Sequence, residues 1–487
     1  MFHSIGLKNR GTHVRRFPPI AKALRLEVEC LEGRMLMASG YLAINLVSDQ
    51  AGVAQIQDPN LVNAWGFALG ATGGNFWVSD NETGVTTLYH GDVNGSAFEA
   101  TAALPVVNIP GSAPTGQVFN PSSSDFIVSD GNGHSGAAAF IFASETGQIF
   151  GWSPAVPPPP PSTEAQVAFT ASDGAIYKGI TIGSNASGTF LFATDFHNGK
   201  IDVFDNTFTP TTLAGNFTDS KIPAGFAPFN IQNLGGKLYV TYAKQDDDAE
   251  DDVQGAHLGY VDVFNTNGVL LKRLVGQGAL NAPWGLALAP ANFGKFSKML
   301  LVGNFGDGRI NVYDPSTGAA KGTLSDGNGH AIKIDGLWGL GFGNGVTAGD
   351  KNALYFTAGP NDEEHGLFGV IKQVDNVSDK VRTTRNLQSF GIDFVSGFLK
   401  LENRTGKTIS GPLTIEISNV PDGVTLVNAA NHAANGHLLI TITVDSLEHK
   451  ETMNVPLFFQ GDLAADTSAF FGFHVFNVFS GPFSSSP

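Results

Sequence analysis

Six of the seven residues from Asp246 to Asp252 carry carboxylates: Asp246, Asp247, Asp248, Glu250, Asp251 and Asp252. Held this close they repel one another, and a hard cation taking oxygen ligands would relieve the repulsion, so the run is a candidate Ca2+ site. The spacing is not that of an EF-hand loop, which needs glycine at its sixth position, and a solvated acidic loop is the plainer account. A second candidate is the hexapeptide Ser129–His134, repeated verbatim as Ser325–His330. Its glycines permit left-handed turns, and its Asp, Asn and His side chains are metal or ligand donors. The two copies stand at different places relative to the surrounding strand patterns, which favours a recurring turn over a paired site. Histidines His90, His134, His197, His257, His330 and His365 form a third group. His197 follows Asp195, and His365 follows Glu363 and Glu364, in what read as equivalent loops. No spacing among them is diagnostic in the way His-Glu-x-x-His is. Lastly, Trp65, Trp284 and Trp338 each precede a glycine in one recurring context, which suits either core packing or an aromatic ring that stacks on a sugar or other flat ligand.

The elements that must hold these residues repeat. An apolar strand recurs as Trp65–Leu69, Thr115–Phe119, Lys178–Ile182, Pro228–Ile231, Trp284–Leu288 and Trp338–Phe342. A second strand follows each, ending in small polar residues: Phe76–Asp80, Phe126–Asp130, Phe190–Asp195, Leu238–Tyr242, Leu300–Asn304 and Leu354–Ala358. A third alternates with period two, most clearly in Gly199–Asp205, Gly259–Asn265 and Gly308–Asp314, the mark of a half-buried strand. Repetition of three strands and a weaker outer one predicts an all-β fold, a six-bladed β-propeller over residues 40–380. The sixth copy lacks its outer strand, and residues 43–49 supply a matching segment that would close the ring and remove its sheet edges.

Of 487 residues, 60 are Gly and 37 Phe, and only 15% are charged, which suits short strands and tight turns. The net charge is −16, although residues 1–39 hold seven basic side chains against three acidic ones. The acidic remainder should repel nucleic acid and anionic membrane surfaces. No run is apolar and long enough to span a membrane. Cys30 is the only cysteine, so an intrachain disulfide and a cysteine-based metal site are excluded. The chain contains no nucleophile elbow, phosphate loop or dinucleotide fingerprint.

Segments Asn45–Asp49, Leu61–Gly66, Tyr242–Asp246 and Gly336–Leu340 resemble an uncharacterised bacterial family of exported propeller proteins, and the blade pattern is similar to NHL repeats. Leu31–Ala38 resembles the Leu-Glu-Pro-Arg box found near the N-terminus of bacterial surface proteins, with Gly33 in place of its proline. The resemblance implies the propeller, export to an extracellular or cell-surface location, and residues 1–39 as a targeting or disordered segment. It implies no established activity.

From about Asn386 the pattern changes to short strands such as Gly397–Asn403, Leu413–Ile417 and Leu438–Val444, with turns at Thr405–Lys407 and Pro421–Gly423. An immunoglobulin-like β-sandwich over residues 386–480 is expected. A Phe-rich stretch from Phe470 to Phe479 would be its last strand or an interaction edge, and residues 481–487 a disordered tail. Together these readings predict an exported binding or scaffold protein with a carbohydrate or protein ligand, its surface including Trp65, Trp284, Trp338, His197 and His365. The alternative is a metal-dependent lyase or lactonase-type enzyme with its site in the central tunnel. Side chains converging on that tunnel separate the two.

Overall fold

The computed structural model describes residues 39–389, 394–420, 424–429, 431–461 and 474–481. The box at residues 31–38, Cys30, the turn at 421–423, residues 470–473 of the Phe-rich stretch and residues 482–487 of the tail lie outside the described residues. Among those described, regular structure is strand throughout, save one 3-10 turn at Gly294–Phe296.

Six antiparallel sheets follow one another along the chain. Their first strands are Ala64–Ala68, Pro114–Phe119, Tyr177–Asn185, Phe226–Leu234, Pro283–Leu288 and Leu337–Phe342. Each of these inner strands packs against the next, and Leu337–Phe342 returns to Ala64–Ala68, so the sheets stand around a common axis as in a β-propeller. Within a sheet the strands run outward in chain order, as in Tyr177–Asn185, Gly188–Asp195, Lys200–Phe204 and Pro210–Thr211. The sixth sheet takes its outermost strand, Ser39–Ser48, from the other end of the chain. That strand pairs antiparallel with Leu367–Asn376, with Ile44 opposite Val370.

The second sheet departs from the sequence pattern. Residues 126–130 do not form its second strand. Ile127–Ser129 pairs instead with Ser135–Ala137 as a separate hairpin, and Phe140–Ser144 occupies the second position. The hairpin inserts between the first and second strands, which the third and fourth sheets join by a tight turn, and the small polar ending at Ser129-Asp130 belongs to its own tip.

The C-terminal residues build two larger sheets, and a short pair of Ile409–Ser410 with Ser446–Leu447, over a shared apolar core that includes Leu399, Leu413, Ile415, Leu457 and Val478. One sheet orders Val381–Ser389, Phe394–Asn403, Thr452–Gly461 and Val424–Leu426. The other contains Asn431–Ala433, Leu438–Ile442, Leu413–Ser418 and His474–Ser480. This second sheet is continuous with the sixth propeller sheet at both edges. Ala433 pairs with Ile44, and Ser480 pairs with Asp375.

Candidate functional site

In every inner strand the pairing with its neighbour skips a residue at the same place. The skipped positions include Trp65, Thr115, Lys178, Phe229, Trp284 and Trp338. A bulge breaks the in–out alternation of a strand and re-aims the bulged side chain. Five of the six skipped residues are followed by glycine. A Cβ on Gly116 would stand 2.8 Å from the Cα of Gly179, and one on Gly179 2.8 Å from the Cα of Asn230. Neighbouring inner strands thus touch backbone to backbone around the axis. In the fourth sheet Asn230 replaces the glycine and donates from Nδ2 to Trp284 O at 2.8 Å.

Four of the bulged residues make an aromatic plug. Trp338 is stacked between Trp65 and Phe305, with ring centroids at 3.8 and 3.9 Å, and meets Trp284 and Phe229 edge-on. Trp65, Trp284 and Trp338 are each at most 3% exposed. Their indoles cover one another, so as they stand they offer no ring face for a ligand to stack on.

Lys178 takes the axial place in the third sheet and is almost fully buried, its Nζ 5.2 Å from the centroid of Trp65. It donates to Glu145 Oε1 at 2.5 Å and to Asp251 Oδ1 at 3.0 Å. Glu145 comes from the turn between Phe140–Ser144 and Gln148–Trp152, while Asp251 is the last but one residue of the acidic run. Asn81 donates to Glu145 Oε2, and Asn63 donates to both Asn81 Oδ1 and Glu363 Oε2. Trp338 Nε1 donates to Asn63 Oδ1, which ties this network to the plug. Burial pulls the Lys178 pKa down, but Glu145 and Asp251 outweigh it and hold the ammonium above its ordinary value. Burial pushes Glu363 up to about 7, aided by Glu145 and Asp251 and opposed by Asn63 and Lys178. Asp252 is likewise pushed up to about 7 by burial, Lys178 opposing and Glu363 and Asp251 assisting.

The acidic run is therefore partly a structural clamp. Asp246 Oδ1 accepts from the Glu250 backbone N–H, Asp251 pairs with Lys178, and Asp252 turns inward, while Asp247, Asp248 and Glu250 are exposed. His197 lies against the loop, its Nδ1 3.3 Å from Ala249 O. His365 lies 2.8 Å from Asp49 Oδ2, at the end of the N-terminal strand. The two histidines have separate partners. Among the described residues no group of three or more His, Cys, Asp or Glu side chains is placed to hold a metal ion. Both copies of the repeated hexapeptide form one kind of turn. Asp130 and Asp326 each accept, through Oδ1, the backbone N–H groups two and four residues on.

The other ends of the inner strands line a bowl of about 750 Å³ to which all six sheets contribute. One side is apolar, with Phe67, Leu286, Leu340 and Phe342. The other mixes Gln117, Thr181, Gln232 and Asn233 with Val118, Phe119, Ile182 and Leu234. No residue lining it ionises. Gln117, 4% exposed, donates from Nε2 to Gly66 O and Ser79 Oγ, each at 3.0 Å. A carbonyl only accepts, so this fixes the amide orientation. Gln117 Oε1 is left buried without a hydrogen-bond partner among the described residues.

Sequence reasoning passed over Lys178, Glu145, Asn63, Asn81 and Gln117. For Lys178 a signal existed: it stands before glycine where three other repeats have tryptophan. Glu145 and the two asparagines sit in ordinary turn sequences that mark no site.

No family model matches the chain. The uncharacterised protein R648 of Acanthamoeba polyphaga mimivirus is 31% identical over 330 residues, covering 67% of this chain and 78% of that protein. The uncharacterised protein L690 of the same virus is 32% identical over 332 residues, covering 67% and 84%. These relatives are viral, whereas the motif resemblance implied a bacterial family. Among solved structures, the chain is similar to the PQQ-bound aldose sugar dehydrogenase from Streptomyces coelicolor. The identity is 12% and the TM-score 0.38, over 68% of this chain and 98% of that one. A protein of unknown function from Bacteroides thetaiotaomicron gives 8% identity and a TM-score of 0.43, over 69% and 76%. The extent and identity of the sequence match place the chain in the family of the uncharacterised mimivirus proteins R648 and L690.

Proposed function

We propose that this protein is an exported, non-enzymatic binding protein. In this reading the six sheets are the blades of one propeller, closed by the N-terminal strand, and the C-terminal sheets form an immunoglobulin-like sandwich that serves as a spacer or dock. One observation carries the binding function: the bowl receives residues from every blade, yet has no group able to donate or take a proton near neutral pH. A catalyst needs such groups within reach of its substrate, and a binding site does not. The ligand is a carbohydrate or a protein segment. Export rests on the basic N-terminus and the box at 31–38, and fractionation of cells expressing the chain with and without residues 1–38 tests it.

A second reading has an observation of its own. Glu363 and Asp252, both near 7, stand beside Lys178 on the opposite side of the plug, where an acid–base enzyme would work. One comparison separates the two. Purified residues 39–487 are assayed against ester, lactone and glycoside substrates, and by thermal shift against neutral oligosaccharides and short peptides. Turnover that Glu363→Gln abolishes overturns the binding reading. Stabilisation that Phe119→Ala removes, without turnover, supports it. Metal analysis of the same protein, purified without chelator, tests the calcium expectation: stoichiometric Ca2+ that disappears on deleting 246–252 establishes the loop as its site.

A further inference from the structure

We propose that Asp262 and Asp219 share a proton in the folded protein and, with Arg273, form a proton-operated latch between the third and fourth sheets. A count of charges and donors carries the argument. Asp262 lies in the strand Tyr260–Phe264, and Arg273 stands opposite it in the outer strand Leu270–Gly276. Asp219 comes from the connection 212–225, which leads from Pro210–Thr211 of the third sheet to Phe226–Leu234 of the fourth. The side chains of Asp262 and Asp219 are 0% and 4% exposed, so two buried acids meet one guanidinium. Arg273 commits Nη2 to Asp219 Oδ2 at 2.5 Å, while its Nε is 3.7 Å from Asp262 Oδ1, too far for a hydrogen bond. Its guanidinium also lies over the Tyr260 ring, 5.2 Å from the centroid. Both oxygens of Asp262 are buried without a donor among the described residues, and the buried Tyr242 hydroxyl bonds to neither acid. Lys221 follows Asp219 in the connection, but its side chain is exposed.

A buried carboxylate with no donor is far costlier than a neutral carboxyl. A proton on Asp262 removes that cost. Its O–H then donates to Asp219, which stands within hydrogen-bonding reach, and one guanidinium is left to balance one carboxylate. Burial pushes Asp262 up to about 7, with Asp219 assisting and Arg273 opposing. The pair fastens a segment that is otherwise tied at its two ends. Gly215 and Phe217 donate backbone N–H groups to Asn267 O and Gly268 O, in the turn between the strands of Asp262 and Arg273. Gly225 O accepts from the Gln245 N–H at 2.8 Å, just before the acidic run begins, so the latch also steadies the seat of that loop. When the connection lifts, Asp262 meets water and returns to the ordinary carboxylate range near about 4. The open form then loses a proton that the closed form keeps. Rising pH therefore favours opening between about pH 4 and 7, and has no further effect above that.

The test is hydrogen–deuterium exchange of the full-length protein from about pH 5 to 8.5, read by mass spectrometry and corrected for the intrinsic pH dependence of exchange. Peptides covering 212–225 and 270–276 should lose protection about tenfold per pH unit up to about pH 7 and then level off. Asp262→Asn is neutral at every pH and can donate to Asp219, so the same peptides should exchange slowly throughout. A wild type without the slope would overturn the latch, and so would a slope that persists in Asp262→Asn. Should that variant not fold, Asp219→Asn decides the matter. Without the neighbouring charge Asp262 ionises more readily, and the levelling point should move to lower pH; a levelling point that stays in place would also overturn the proposal.

Discussion

At the scale of single residues, Lys178 carries a charge in the protein's interior. It is a buried ammonium on an aromatic face, neutralised by two carboxylates that reach it from different sheets. Replacing it with methionine keeps the volume and removes the charge, leaving Glu145 and Asp251 facing each other. Breaking a fully buried pair this way costs about 3–5 kcal/mol. Asp251 is largely exposed and Glu145 partly so, and water takes over part of their solvation, so Lys178→Met should cost about 2 kcal/mol. Urea unfolding at pH 7 measures it. Buried carboxyl groups set a second expectation: Glu363 and Asp252 beside Lys178, and Asp262, which lies in the strand Tyr260–Phe264 against Asp219 and Arg273. Burial raises Glu363, Asp252 and Asp262 to about 7 in the folded protein, far above their values in an unfolded chain. Between about pH 4 and 7 the folded state therefore binds more protons than the unfolded state, and stability falls as pH rises through that window. Above pH 7 these groups are ionised in both states and the slope disappears. Melting temperature should be higher at pH 5.5 than at pH 8, and Glu363→Gln, neutral throughout, should narrow the difference. An equal pH slope in wild type and variant would remove Glu363 from this account.

At the scale of elements, the repeated strand pattern made the all-β character and the propeller legible, because half-buried strands declare themselves by period two. The recurring Trp-Gly pair marked the axial bulge without revealing it as a bulge, since register is a property of two strands and is not written in one. The second sheet shows the limit. Phe126–Asp130 carries the same apolar-then-polar signature as a second strand, yet Phe140–Ser144 takes that place. Both segments satisfy the periodicity, and only the pairing with Pro114–Phe119 distinguishes them. The candidate site was less legible, because Glu145, Asp251 and Glu363 meet Lys178 across sheets far apart in sequence. The axial glycines make the bulge testable. Gly116 and Gly406 both lie outside the left-handed region, so a substitution at either is judged on space alone. Gly116→Ala drives a methyl into the backbone of Gly179, where rigid neighbours cannot yield, and should cost about 3 kcal/mol or prevent folding. Gly406→Ala meets nothing within 4 Å and should leave the melting temperature within about 1 °C of wild type. Equal tolerance at the two positions would mean that the inner strands do not close on one another as described.

At the scale of the whole molecule, the question is whether the C-terminal sheets unfold with the propeller or apart from it. A tethered module would share few contacts with its neighbour. Here Ser39–Ser48 is at once the outer strand of the sixth propeller sheet and the partner of Asn431–Ala433. The strand Leu367–Asn376 passes from its propeller neighbours to Ser480 and Phe479. Leu42, Ile44, Tyr355 and Phe368 from the propeller share one apolar cluster with Ala433, Leu439 and Phe479. Separating the two parts would expose that cluster and two strand edges together, so they should melt as one cooperative unit. Tryptophan placement makes this measurable. All five tryptophans, at positions 65, 77, 152, 284 and 338, lie in the propeller sheets, and their fluorescence reports the propeller alone. Far-UV circular dichroism reports every strand. The two signals should lose structure at the same midpoint in urea. A dichroism transition that precedes the fluorescence change would show the C-terminal sheets unfolding by themselves, and the shared strand would then be a contact without energetic weight. Within the coupled case, Ile44→Asp charges a buried position facing both parts and should lower both midpoints by the same amount.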